Sequence, residues 1–98
     1  MSLYLHSRIK TKKLYSKVFS GKVKNIVGNT VYLIVDKYSN YKTSELIECK
    51  PVERIIEMQE FDYTLMNVGS DCSLFVTAYE SPLHNKITYI CYDWKNNN

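Results

Sequence analysis

The sequence predicts a mainly β domain: a small antiparallel barrel or bent sheet of roughly five to seven strands with one or two short helices, α+β being the alternative class. Three observations carry this. Gly28-Asn29 separates two runs rich in β-branched residues. Over 72–79 and 86–94 the side chains alternate between two faces with the period of a strand. Tyrosine, a good strand residue, occurs nine times in 98 residues.

Residues 11–21 admit two readings. As a helix, Thr11 caps the start, Leu14, Tyr15, Val18 and Phe19 form one stripe, and Gly21 closes the end. As a strand over 16–27, the segment feeds straight into the hairpin, with Ser20-Gly21 as the bend that small barrels use. The strand reading is preferred. Residues 22–27 and 30–36 are then hairpin arms. Glycine supplies the positive φ of a two-residue turn, and asparagine tolerates it next best. Val31 to Val35 is apolar on both faces, as in a central strand.

Residues 37–44 are polar and read as a loop. Residues 45–50 start a short strand or a helical turn, and Pro51 biases Lys50 away from the α region. Val52, Ile55 and Ile56 then have helical spacing behind Pro51, which predicts a short helix at 52–60. Strands follow at 62–68, 72–79 and 86–94, divided by a Gly69-Ser70-Asp71 turn and a loop at 80–85. Cys72, Leu74, Val76 and Ala78 share one face of the middle strand. In the last, Ile87, Tyr89 and Cys91 alternate with Thr88, Ile90, Tyr92 and Trp94. Residues 1–94 make one domain, and 95–98 read as a disordered polar tail.

The formal charge of +3 conceals an asymmetry. Residues 1–35 hold seven basic groups and no acid, whereas 36–98 hold six basic and ten acidic groups. The longest apolar run is Val31 to Val35, against about 20 residues for a membrane crossing. Leu3-Tyr4-Leu5 precedes the basic stretch, the reverse of a signal peptide. A cytoplasmic location and no membrane partner are expected. Cys49, Cys72 and Cys91 are odd in number and widely spaced, so they read as small buried thiols. With His6 and His84 they give no zinc-like spacing, and no metal or cofactor is expected. There is no glycine-rich phosphate loop, HExxH or GxSxG. His84 reads as a solvated loop residue, and Glu57 with Glu60 as a solvated face, so no enzyme is expected. Lys, Asn, Ile, Tyr and Phe supply 39 of 98 residues, a codon bias pointing to a low-GC bacterium or its phage.

The candidate partner-binding residues are Lys12, Lys13, Tyr15, Lys17, Lys22 and Lys24, with Tyr38 and Tyr41 from the polar segment. The favoured expectation is a small regulatory, protein-binding factor such as an inhibitor or adaptor. Its basic first third docks an acidic protein surface, with tyrosines as anchors. The alternative is a small barrel binding RNA or single-stranded DNA, with lysines on phosphates and rings on bases. Only two arginines are present, which weighs against base-edge reading. A second alternative is self-association, basic third against acidic middle. Residues 20–35, with a Gly-Lys-Val entry, Ile26 and a glycine turn, are broadly similar to the strand–turn–strand of SH3-like and OB-type small barrels, including the KOW type. Any such hairpin shows that likeness, and it carries no family residue across.

Overall fold

The computed structural model describes residues 12–40, 45–59, 65–81 and 85–97. It contains β1 Lys12–Val27, β2 Thr30–Asn40, β3 Ile47–Met58, β4 Asp71–Ser81 and β5 Lys86–Asn96. No helix occurs among the described residues. The strands form a closed ring of hydrogen bonds in the order β1-β2-β3-β5-β4, with β1 pairing back onto β4. The mainly β expectation holds. The sheet is mixed, because β3 and β5 run parallel and pair only through Ile56 with Tyr89, Glu57 with Ile90 and Met58 with Cys91.

The hairpin forms as its residues dictate. Gly28 takes φ 60° at the turn, and Val27 faces Thr30. The strand reading of 16–27 also holds, and β1 reaches back to Lys12. One strand can serve two neighbours over this length because it bends. The register with β2 shifts between Ser20 and Gly21. A Cβ on Gly21 would stand 1.8 Å from the Ile34 carbonyl oxygen, so only glycine lets β1 and β2 approach so closely.

The helix expected at 52–60 is replaced by β3. Its apolar residues find ladder partners on β2 instead: Val52 with Val35, Ile55 with Tyr32 and Ile56 with Val31. Helical spacing and a bulged strand look alike here. Residues 49–51 together stand opposite Asp36 alone, and this bulge puts Pro51 where no ladder N–H is needed. The loop expected at 37–44 begins later, since β2 runs to Asn40 and 41–44 lie outside the described residues. Of the strand expected at 62–68, residues 62–64 lie outside the described residues, and 65–68 are turn and coil. Met66 nonetheless packs against the core, 4% exposed. Bonds from the Val23 N–H to Ser70 (2.9 Å) and from the Gly69 N–H to Val23 (2.8 Å) pin this segment.

The interior is filled by the inward residues of all five strands, with Leu33, Ile56, Leu74 and Val76 fully buried. Each such side chain contributes about 1.5–3 kcal/mol by leaving water. Cys72, Leu74, Val76 and Ala78 share the inner face of β4 as expected. In β5 the register shifts opposite Phe75 and Val76, leaving Tyr92 as the extra residue. Trp94 therefore joins Tyr89 and Cys91 inside rather than Thr88 and Ile90 outside. The expected frayed tail is corrected too. Lys95 and Asn96 extend β5, and the Asn97 N–H donates to the Asp71 carbonyl at 2.9 Å.

Candidate functional site: an aromatic and cationic mouth

β1, β3 and β5 start, and β2 and β4 finish, at the same end of the ring. There β3 and β5 are not yet paired, so among the described residues the interior opens. Residues of β1 with odd numbers from Tyr15 to Val23 share the inner face: Phe19 and Val23 are core, while Tyr15 and Lys17 are half-buried at the opening. Tyr38 faces Phe19 across the ladder and lies on the same side. Arg54 comes from the inner face of β3, opposite Leu33, and Tyr89 from β5, paired with Ile56.

These side chains form one connected cluster. The Lys17 ammonium sits 4.7 Å from the Tyr15 ring centroid and 4.8 Å from that of Tyr38. The Arg54 guanidinium lies 5.4 Å above Tyr89. Tyr89 in turn meets Phe19 edge-on, centroids 5.5 Å apart at 66°. Burial, then the side-chain hydrogen bond to Tyr89, push the Tyr15 phenol up to about 12, against the opposing pull of Arg54. Tyr15, Tyr38 and Tyr89 all pack against the same core, which sets the two cation–ring groups side by side.

A cavity of about 420 Å³ lies over this array. Tyr15, Lys17, Tyr38, Cys49, Lys50 and Arg54 line it, above a floor of Phe19, Val35 and Val52. Among the described residues three cations and no carboxylate border it. Among the described residues the ion pairs join Lys24 to Glu53 and Lys37 to Asp36, and none uses Lys17, Lys50 or Arg54. Among the described residues, then, the mouth holds positive charge that no carboxylate pairs. A second cavity of about 340 Å³ in the gap between β3 and β5 is bordered by Glu53, Glu57, Arg54 and Lys86, so its charge is balanced.

The structure divides the residues singled out from sequence. Tyr15, Lys17 and Tyr38 come together at the mouth. Lys22 and Lys24 are exposed on the opposite face of β1, and Lys24 is held by Glu53 at 2.6 Å. Lys12 and Lys13 are exposed at the start of β1, facing Glu80 and Tyr79 on β4. Tyr41 lies outside the described residues. Arg54, Lys50 and Tyr89 were missed. Tyr89 and Arg54 sit far from the basic third in sequence, and only ring closure brings them to it. The period-two spacing of Tyr15, Lys17 and Phe19 was the available signal that not all the lysines share a face. All three cysteines are free thiols, Cys72 and Cys91 buried and Cys49 half-buried at the mouth. Among the described residues no three His, Cys, Asp or Glu group as a metal site would require. No protein-family model, curated protein or solved structure matches this chain.

Proposed function

We propose that the protein is a non-enzymatic module that binds single-stranded nucleic acid in its mouth. The observation that carries this reading is the cavity bordered by Lys17, Lys50 and Arg54, with tyrosine rings beside them and no carboxylate among the described residues. Unpaired bases need ring faces, and phosphates need cations. An interior open at one end offers both within the reach of a nucleotide. The topology is compatible with it: five strands close into a ring through β1 and β4, and small five-stranded barrels of the OB type bind oligonucleotides and oligosaccharides on one face. The scarcity of arginine fits binding through backbone and stacking rather than base-edge reading.

A protein partner with an acidic surface is the second reading. It is favoured by Ile47, Val52, Ile55 and Ile87, exposed where β3 and β5 are unpaired. One titration separates the two. A fluorescent oligothymidylate of about ten nucleotides, within the usual site size of one such barrel, is titrated at low salt and followed by anisotropy. Saturable binding that Arg54→Gln weakens by about tenfold supports the nucleic-acid reading. No binding at protein concentrations near 100 μM, on the order of the weakest nonspecific affinities, overturns it in favour of the protein partner.

A further inference from the structure

We propose that Lys17 is a gate on the aromatic surface: in the free protein its ammonium occupies the ring faces of Tyr15 and Tyr38, and a phosphodiester must draw it away before a base can stack there. This rests on the single-stranded nucleic-acid reading and says which ligand that site accepts.

The geometry supplies the argument. One ammonium lies 4.7 and 4.8 Å from two ring centroids, so a single cation serves both rings. It has no carboxylate partner among the ion pairs of the described residues. The rings are also restrained, because Tyr15 and Tyr38 pack against the core, and Tyr89 meets Phe19 edge-on under Arg54. The lysine is then the movable part. A ring quadrupole attracts an ammonium less than a full negative charge at hydrogen-bond distance does. A phosphate arriving at the mouth therefore wins Lys17 and clears two ring faces in the same event. A neutral base arriving alone must displace the cation with only water to receive it. Base and phosphate binding are thereby coupled, and coupling of this kind acts equally in both directions. The ligand class is a phosphodiester-linked single strand. Free nucleosides and bases on an uncharged backbone bind more weakly.

The test uses the full chain with Lys17→Met, Lys17→Gln and Lys17→Arg, each checked for the wild-type circular dichroism spectrum. The probes are oligothymidylate, an abasic phosphodiester chain of equal length, and a thymine oligomer on a neutral peptide backbone. Wild type is expected to bind oligothymidylate and to bind the neutral oligomer weakly. Lys17→Met and Lys17→Gln, with the rings uncovered, should bind the neutral oligomer at least about fivefold tighter than wild type, the low end of usual coupling, while binding the abasic chain more weakly. Lys17→Arg, which keeps charge and ring contact, should behave as wild type. If oligothymidylate binds wild type but neither uncharged variant gains affinity for the neutral oligomer, the gate is overturned and the nucleic-acid reading stands. If oligothymidylate fails to bind wild type at low salt, both fall.

Discussion

Replacing Gly21 by alanine places a methyl group against backbone, not against a side chain that can turn aside. The new Cβ would stand 1.8 Å from the Ile34 oxygen, 2.8 Å from the Ile34 carbonyl carbon and 3.1 Å from the Val35 Cα. Reaching an ordinary contact of 3.4 Å requires the two strands to part by about 1.6 Å. The pairs Gly21 with Val35 and Lys22 with Ile34 lie at that point, just beyond the register shift. Losing two ladder hydrogen bonds costs about 1 kcal/mol each. Displacing Leu33 and Val35, both core residues, adds roughly 1–3 kcal/mol of strain. Together that is about 3–5 kcal/mol, a large share of the roughly 5–15 kcal/mol that holds a domain folded. Urea denaturation followed by Trp94 and tyrosine fluorescence measures it directly. By heat, the midpoint should fall by at least about 12 °C. Gly28→Ala is the control. Nothing lies within 4 Å of its Cβ, and its φ of 60° alone should cost about 1–2 kcal/mol. If Gly21→Ala costs no more than Gly28→Ala, the close approach of β1 and β2 is not what bends the sheet.

Further expectations follow from the core and the mouth. Burial pushes the Cys91 thiol up to about 12, so folding favours the neutral form. That stabilisation is complete below about pH 8.5, where an unfolded thiol is also protonated, and is lost as pH rises through about 12. Between roughly pH 9 and 10 the unfolding free energy of wild type should drop by about 1 kcal/mol more than that of Cys91→Ala, by urea titration. Tyr15, likewise raised, adds its own loss above about pH 10 in both proteins. At pH 8 iodoacetamide should label Cys49 in the native protein and spare Cys72 and Cys91, read by mass. With three phosphate-contacting cations, log affinity for oligothymidylate should fall with log salt at a slope of about −2, roughly a 20-fold loss from 50 to 200 mM, and Arg54→Gln should flatten it to about −1.4.

How much of this was legible in the sequence depends on which elements local chemistry decides. Gly28-Asn29 and its flanking β-branched runs specify their hairpin without help. The four inward residues of β4 alternate without interruption and are read correctly. β3 is different. Val52, Ile55 and Ile56 carry helical spacing, and the bulge at 49–51 that reconciles them with a strand depends on β2 lying beside it. Tyr92 hides a second irregularity, which moves Trp94 to the other face. The charge tally was sound and misleading at once. It counted seven basic groups before Asp36, but strand parity sends Lys22 and Lys24 to one face and Lys17 to the other, and Glu53 neutralises Lys24 from two strands away. Tyr15 and Lys17 stand out because lysines and aromatic rings interleave there, and Tyr38 because it lies in a polar segment. Arg54, Lys50 and Tyr89 reach the same opening only through ring closure, a tertiary event with no local signature.

Backbone amide shift mapping with added oligothymidylate locates the binding surface residue by residue. Shifts concentrated at Tyr15, Lys17, Tyr38, Lys50, Arg54 and Tyr89, with Gly28, Asn29 and residues 65–70 at the opposite end unchanged, are the predicted result. Shifts confined to that opposite end, or to Lys22 and Lys24 on the outer face, would contradict it.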